Sequence, residues 1–336
     1  MKILLSGHHN PHFETVTEYI ERAIRSLGHE LIPFEDRQYF LPGRIRQRVP
    51  WLQRWDLQRI NRRLIALARE SQVDLVVVTG GHRVLAETVQ SLNGRGISTA
   101  LWTTDPPREC GEILRAAPCY RHIFCQGTEA NEIIAAKGII DSQWLPMGCD
   151  PAYHHAVSLA PEEKKRYGFD VVFVGSYYPE RADHFEVLCD FDLAIWGPGW
   201  ESLKAGSPLV NFIQGNHTTP DEWLKIYSAS RIVMATHYRD PLGQMPVYQA
   251  SPRVFEAMAC GAFVLCDRQR DVLELFRDGE HLVSFSDGDD LAAKVRHYLD
   301  HPTERRAIAR KGCEEVLANH TYVHRVGALL DRVKGG

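Results

Sequence analysis

Short apolar runs recur along the chain, each ending at a turn and followed by a segment of helical period. In the first half the runs fall at residues 3–6, 31–34, 75–79, 99–102 and 122–125, and the spacing predicts helices over 14–27, 56–70, 84–92 and 129–137. This alternation predicts a parallel sheet covered on both faces by helices. Leu27-Gly28-His29 agrees, because a glycine just past an amphipathic helix supplies the left-handed cap from which the chain returns to a strand.

The alternation breaks at Trp144-Leu145-Pro146-Met147-Gly148-Cys149-Asp150-Pro151 and the polar stretch 160–168, which together predict an extended connector. It restarts with apolar runs at 171–174, 193–196, 232–235, 263–266 and 282–285, and with predicted helices over 181–189, 221–227, 254–259, 272–276 and 289–299. Residues 303–317 and 322–333 read as helical throughout. The expected organisation is a first α/β domain over 1–150, a connector over 151–168, a second α/β domain over 169–316, and a terminal helix in 317–336 that is free to cross back to the first. A length of 336 residues suits two domains with a crevice between them.

Composition adds exclusions. With 44% hydrophobic and 24% charged residues the chain matches ordinary globular proteins, which sets aside disordered, collagen-like and coiled-coil classes. A net charge of -4 argues against a general nucleic-acid-binding surface. The eight cysteines lack the close paired spacing of a zinc site and predict free thiols in a reducing compartment. No stretch is uninterrupted for the ~18 residues of a membrane span, and the apolar run at 3–6 is too short for a signal peptide, so a cytoplasmic protein is expected.

Several chemistries fail on inspection. Gly7 is followed by His8-His9-Asn10 where a dinucleotide-binding Gly-x-Gly-x-x-Gly would stand, and there is no Gly-Lys-Ser/Thr loop, Gly-x-Ser-x-Gly elbow or His-Glu-x-x-His helix. Asp190-Phe191-Asp192 matches a metal-holding Asp-x-Asp pattern but leads into a strand, whereas ligands of open α/β sheets bind beyond the carboxyl ends. No metal site is expected.

The informative segment is 251–267, which reads as a loop, a short helix carrying Arg253 and Glu256 in its first turns, a glycine stop, and a buried strand ending in Asp267. A helix amino terminus favours anions, so this turn suits a diphosphate, with Glu256 placed to accept ribose hydroxyls. An ordinary buried helix with capping charges is the competing account, and helix physics alone leaves both standing.

Arg253-x-Phe255-Glu256-Ala257-Met258-Ala259-Cys260-Gly261 resembles the carboxyl-half signature of GT-B glycosyltransferases, most closely the family of the spore maturation protein CgeB, with its glycosyl transferase group 1 type carboxyl domain. Val171-Val172-Phe173-Val174-Gly175-Ser176 with Pro179-Glu180-Arg181, Ile195-Trp196-Gly197-Pro198-Gly199-Trp200, and the terminal His301-Pro302, Glu304-Arg305 and His320-Thr321-Tyr322 resemble that family in its order. Trp102-Thr103-Thr104-Asp105-Pro106 and Trp144-Leu145-Pro146 do so more loosely. The resemblance implies two doubly wound, Rossmann-like domains and transfer of a sugar from a nucleotide-diphosphate-sugar co-substrate on the carboxyl domain to an acceptor on the amino domain, with no further cofactor. It also implies that Glu256 is the second member of a Glu-x7-Glu pair and meets the ribose. The first member falls at Tyr248, which leaves the sugar and a retaining outcome open.

Departure of a nucleoside diphosphate needs fixed positive partners. Arg181 and Arg253 are the candidates, with the turn at Val254 and Phe255 and the Gly175-Ser176 backbone as further donor-side contacts. On the acceptor side stand the loop Gly7-His8-His9-Asn10-Pro11-His12, with His9 as a candidate base or phosphate ligand, and Gly80-Gly81-His82. Asp105 is the carboxylate candidate for an acceptor base; turning the chain ahead of Pro106-Pro107 is its other account. A basic stretch runs through Arg37, Arg44, Arg46, Arg48, Arg54, Arg59 and Arg62-Arg63 with Phe40, Trp51 and Trp55 between. It suits peripheral contact with a membrane, a groove for a long acceptor, or a solvated helical face. A nucleotide-sugar epimerase or hydrolase, and a non-catalytic nucleotide- or sugar-binding protein, are the alternatives to transfer.

Overall fold

A computed structural model describes residues 1–46, 48–104, 111–139, 141–239 and 246–335. The chain divides into two compact units, Met1–Pro146 with Tyr322–Gly336, and Met147–Thr321.

The first unit is a six-stranded parallel sheet made of β1 (Lys2–Gly7), β2 (Glu30–Glu35), β3 (Leu75–Thr79), β4 (Ser98–Thr103), β5 (His122–Cys125) and β6 (Ser142–Trp144), in the order β2-β1-β3-β4-β5-β6. Its helices are α1 (Val16–Ser26), α2 (Gly43–Arg46), α3 (Pro50–Glu70), α4 (Ala86–Asn93), α5 (Gly111–Ala116) and α6 (Thr128–Ala136). The central strands are apolar on both faces, as a sheet covered on both sides requires, and Leu4, Val76, Val78 and Leu101 pack with Ile60 and Leu64 of α3. Gly28 takes the predicted left-handed conformation, φ 79°, and turns the chain from α1 into β2.

The second unit repeats the plan with β7 (Val171–Val174), β8 (Leu193–Trp196), β9 (Ile213–Gly215), β10 (Ile232–Ala235), β11 (Val264–Asp267) and β12 (Val283–Phe285), in the order β12-β11-β10-β7-β8-β9. Its helices are α7 (Pro161–Tyr167), α8 (Pro179–Phe185), α9 (Pro220–Ala229), α10 (Pro252–Ala259), α11 (Arg270–Leu275), α12 (Gly288–Asp300) and α13 (Pro302–Asn319). The last helix, α14 (Tyr322–Gly335), lies in the first unit, where Tyr322 meets Tyr19 and Trp102 with ring centroids 5.8 and 6.4 Å apart.

The segment expected to be an extended connector contains α7. Pro161 opens it at its first position, and the Glu163 carboxylate accepts the Ala160 N–H at 3.0 Å while pairing with Lys225 at 2.7 Å. Only Tyr167 of this helix is buried, so the apolar stripe that would mark it in the sequence is missing. Edge strands β6 and β9, three residues each, escaped the apolar-run pattern for the same reason.

Chain order reverses between β1 and β3 in one sheet and between β7 and β10 in the other. Loops leaving the carboxyl ends of strands at such a switch point diverge and leave room for a ligand. In the first unit these are the loops after Gly7 and after Thr79; in the second, those after Val174 and after Ala235.

Candidate functional site

In the second unit the loop after β7 is shaped by close backbone approach. Gly175 donates its N–H to the Trp196 carbonyl at 2.8 Å, and the Trp200 indole donates to the Gly175 carbonyl at 2.9 Å. A Cβ on Gly197, whose φ is 136°, would overlap that same carbonyl, and one on Gly175 would overlap the Arg253 guanidinium.

Arg181 of α8 and Arg253 of α10 converge at this switch point. Arg181 donates to the Thr236 hydroxyl at 2.9 Å, to the Thr236 carbonyl at 3.0 Å and to the Ser176 carbonyl. Arg253 donates to the Val174 carbonyl at 2.7 Å and to the Thr236 carbonyl at 3.3 Å. Both guanidiniums lie over the Phe173 ring, 4.7 and 4.8 Å from its centroid. Arg181 is only 6% exposed, and burial together with the adjacent Arg253 pushes its pKa down. Among the described residues neither guanidinium has a carboxylate in ion-pair contact; of the acids near them, Asp267 is engaged by His237 and Arg239, and Glu180 and Glu256 act on Arg181 and Arg253 only from a distance. Two neighbouring cations, Arg181 buried and Arg253 half-buried, are thus held by carbonyls and a ring face, an arrangement able to receive an anion.

Val254 and Phe255 are fully buried and anchor α10, Phe255 against Phe276 and His320. Glu256, one turn beyond Arg253, keeps 18% of its side chain exposed. Burial pushes its carboxyl up to about 7, against the pull of Arg253. Facing it is the buried His154, whose Nδ1 accepts the Asp150 N–H at 2.8 Å; the neutral ring therefore carries its proton on Nε2, 3.9 Å from Glu256 Oε1. Trp223 stacks on His154 at 5.5 Å. Tyr248 holds no carboxylate near the site; its ring lies under the Arg270 guanidinium, and its carbonyl accepts the Asp271 N–H at 3.0 Å.

Sequence reasoning missed His237 and its partner role for Asp267. The ring Nδ1 lies 2.7 Å from Asp267 Oδ1, which also accepts the His237 backbone N–H at 2.9 Å, and Gln269 donates to Oδ2 at 3.0 Å. Burial alone would raise the Asp267 pKa, but His237 and Gln269 hold it down at about 2. With Nδ1 committed, Nε2 of His237 is buried with no hydrogen-bond partner among the described residues. It shares a small cavity with Arg181, Glu180 and Tyr178. The sequence signal was there, a histidine two residues beyond a central strand and an aspartate ending the neighbouring one, but no spacing motif links them.

In the first unit a Cβ on Gly7 would meet Thr17 and Thr79 side-chain atoms at 2.7 to 2.9 Å, so only glycine lets β1 leave the sheet here. His9 donates its backbone N–H to Glu35 at 2.5 Å, and its ring nitrogens face Glu21 at 2.8 Å and Glu35 at 3.2 Å. Burial opposes the charged ring, yet the Glu21 hydrogen bond and charge, with Glu18 and Glu35 behind them, keep its pKa above the ordinary histidine value. His9 thus has both ring nitrogens occupied, whereas His8 reaches Glu35 through Nδ1 at 3.3 Å. His12 is exposed, with its backbone N–H on the Asn10 side chain. Gly80 and Gly81 take φ 76° and 89°, Gly80 donating to the Trp102 carbonyl and Gly81 lying against Leu101, with His82 half-buried beyond them. Asp105 lies outside the described residues. Among the described residues no three His, Cys, Asp or Glu side chains gather in a metal-holding group, and no helix is long and apolar enough to cross a membrane.

This architecture is the GT-B fold, two Rossmann-like units with flanking helices. It is similar to a glycosyltransferase from Rickettsia africae, with TM-score 0.69 at 12% identity over 99% of this chain and 98% of that one. It is similar as well to Anabaena HepE in complex with UDP and glucose, with TM-score 0.65 at 12% identity over the whole of both chains. A family model described as "Glycosyl transferase-like" matches residues 180–331, the stretch that holds Arg181, Arg253 and Glu256. In sequence, the spore protein CgeB of Bacillus subtilis is 23% identical over 265 residues, covering 75% of this chain and 80% of that protein.

Proposed function

We propose that this chain is a glycosyltransferase that holds a nucleoside-diphosphate sugar in its second unit and passes the sugar to an acceptor nucleophile bound by its first. The observation that carries the proposal is the pair of Arg181, buried, and Arg253, half-buried, which meet at the switch point without a carboxylate in ion-pair contact among the described residues. A diphosphate supplies the missing negative charge and the planar oxygen geometry that guanidiniums read in pairs. The anomeric carbon bonds to the acceptor oxygen as its bond to the phosphate oxygen breaks. The electron pair leaves with the diphosphate, where the two arginines meet it, and the acceptor proton passes to a base.

In this account the Gly175-Ser176 backbone and the first turn of α10 flank the diphosphate, and Glu256 accepts the ribose hydroxyls, with the His154 ring 3.9 Å from its carboxylate. His237, with Nδ1 fixed by Asp267, meets the donor beside Arg181 through Nε2. On the acceptor side Asp105 is the proposed base, and His8, His12 and His82 line the approach, with His9 as the charged strut of its loop. UDP is the donor base to test first, because structurally similar HepE is known in complex with UDP and with UDP-glucose.

The test follows UDP release from UDP-glucose with and without a panel of hydroxyl acceptors. Acceptor-accelerated release supports transfer. Release that no acceptor accelerates supports hydrolysis, altered sugar with no release supports epimerisation, and tight binding without turnover supports a binding protein.

A further inference from the structure

Residues 37–63 carry eight arginines against a single acid, Asp56, a net +7 in a chain whose total is -4. Asp56 is buried at the base of α3 and is spent on structure. Its carboxylate accepts the N–H groups of Phe40 and Leu41 at 3.0 Å and pairs with Arg59 at 3.2 Å. It thereby pins the loop before α2 to the side of α3. Held there, the Phe40 ring is 69% exposed, edge-on to Trp55 at 6.3 Å and beneath the Arg59 guanidinium at 5.6 Å.

On α3, Asp56, Ile60, Leu64 and Ala68 recur every fourth residue and face inward. Trp51, Trp55 and Arg59 recur at the same spacing about 100° round the axis, and Trp51 is 69% and Trp55 39% exposed. Ile45 of α2, a helix with no buried residue, is 51% exposed. Four large apolar side chains thus stand in solvent within sixteen residues. Among the described residues no carboxylate pairs with Arg44, Arg48, Arg54, Arg62 or Arg63 around them. A solvated helical face would carry mixed charges and few aromatics; this one has a single sign of charge and an apolar centre.

We infer that this face of the first unit docks on an anionic phospholipid bilayer, its arginines at the headgroups and Phe40, Ile45, Trp51 and Trp55 inserted at the interface. Charge complementarity selects the partner, and the exposed aromatics distinguish a lipid interface from a soluble polyanion, which would leave them in water.

The test is co-sedimentation of the full chain with phosphatidylcholine vesicles with or without about 30 mol% phosphatidylglycerol, at low and high salt. The expected result is binding only to the anionic vesicles, weakened by salt. Each arginine near the surface is worth about five-fold in partitioning, so Arg44→Gln with Arg48→Gln costs about 25-fold. Phe40→Ser with Trp51→Ser weakens binding at unchanged charge; all four side chains are exposed, and an unchanged circular dichroism melt verifies the fold. Equal binding to neutral vesicles overturns the inference. So does absence of vesicle binding, with or without binding to heparin, and so does indifference to loss of the aromatic pair.

Discussion

Arg181 and Arg253, from different helices, donate to one carbonyl oxygen, that of Thr236, at 3.0 and 3.3 Å. A backbone carbonyl offers two lone pairs but no net charge, so the arrangement satisfies the hydrogen bonds of both cations without neutralising either. Their geometry is fixed before any ligand arrives, which is what preorganised stabilisation of a leaving diphosphate requires.

Glu256 links the site to pH. Its carboxyl is raised from 4.5 to about 7, so its stabilising contribution is complete below pH 4.5 and is lost as pH rises through 7. Glu256→Gln is expected to make the ligand-free protein more stable at pH 8, by about 3 kcal/mol, and less able to bind donor. UDP-glucose, whose phosphates do not titrate in this range, should bind the wild type about 30-fold more tightly at pH 8 than at pH 5.5 if only the ionised carboxylate accepts the ribose hydroxyls. The variant should bind weakly with a flat profile. Melting curves and calorimetric titration across pH check both halves.

Asp267 has the opposite sign. Its pKa is lowered from 3.8 to about 2, so its contribution is present above pH 3.8 and disappears as pH falls through 2. Asp267→Asn should cost about 2 kcal/mol near neutral pH in urea unfolding, with the difference from wild type closing between pH 4 and 2. His237→Ala, which leaves the buried Asp267 carboxylate without its main partner, should cost at least as much in urea stability as Asp267→Asn and should also lower kcat for UDP release.

Gly197→Ala is expected to be among the most damaging single substitutions. The new Cβ would overlap the Gly175 carbonyl at a φ of 136°, combining strain of about 1–3 kcal/mol with overpacking of similar size. A fall in melting temperature of 10 °C or more is expected, whereas Gly206→Ala, at φ 86° but in open space, should cost less.

The fold was legible because buried parallel strands are apolar on both faces and stand out as runs; ten of the twelve strands among the described residues fall on such runs, and the exceptions, β6 and β9, are three-residue edges. Helix α7 stayed hidden because its stability comes from Pro161, Glu163 and Lys225 and only one of its residues faces the core. Arg253 and Glu256 were legible through a contiguous signature. His237 was not, since its significance rests on Asp267, thirty residues away and joined to it only by the pairing of β10 with β11. Nor could residue type alone show that His9 would be held at both ring nitrogens by Glu21 and Glu35.

The central claim is a diphosphate seat on Arg181 and Arg253, and calorimetric titration of UDP into the wild type and into Arg181→Ala and Arg253→Ala tests it most directly. Each charge-assisted contact is worth about 1.5–3 kcal/mol, so the account predicts saturable binding to the wild type and a loss of at least ten-fold in each variant, with the fold preserved by circular dichroism. Equal UDP affinity in the wild type and both variants, or no UDP binding by the wild type, would contradict it.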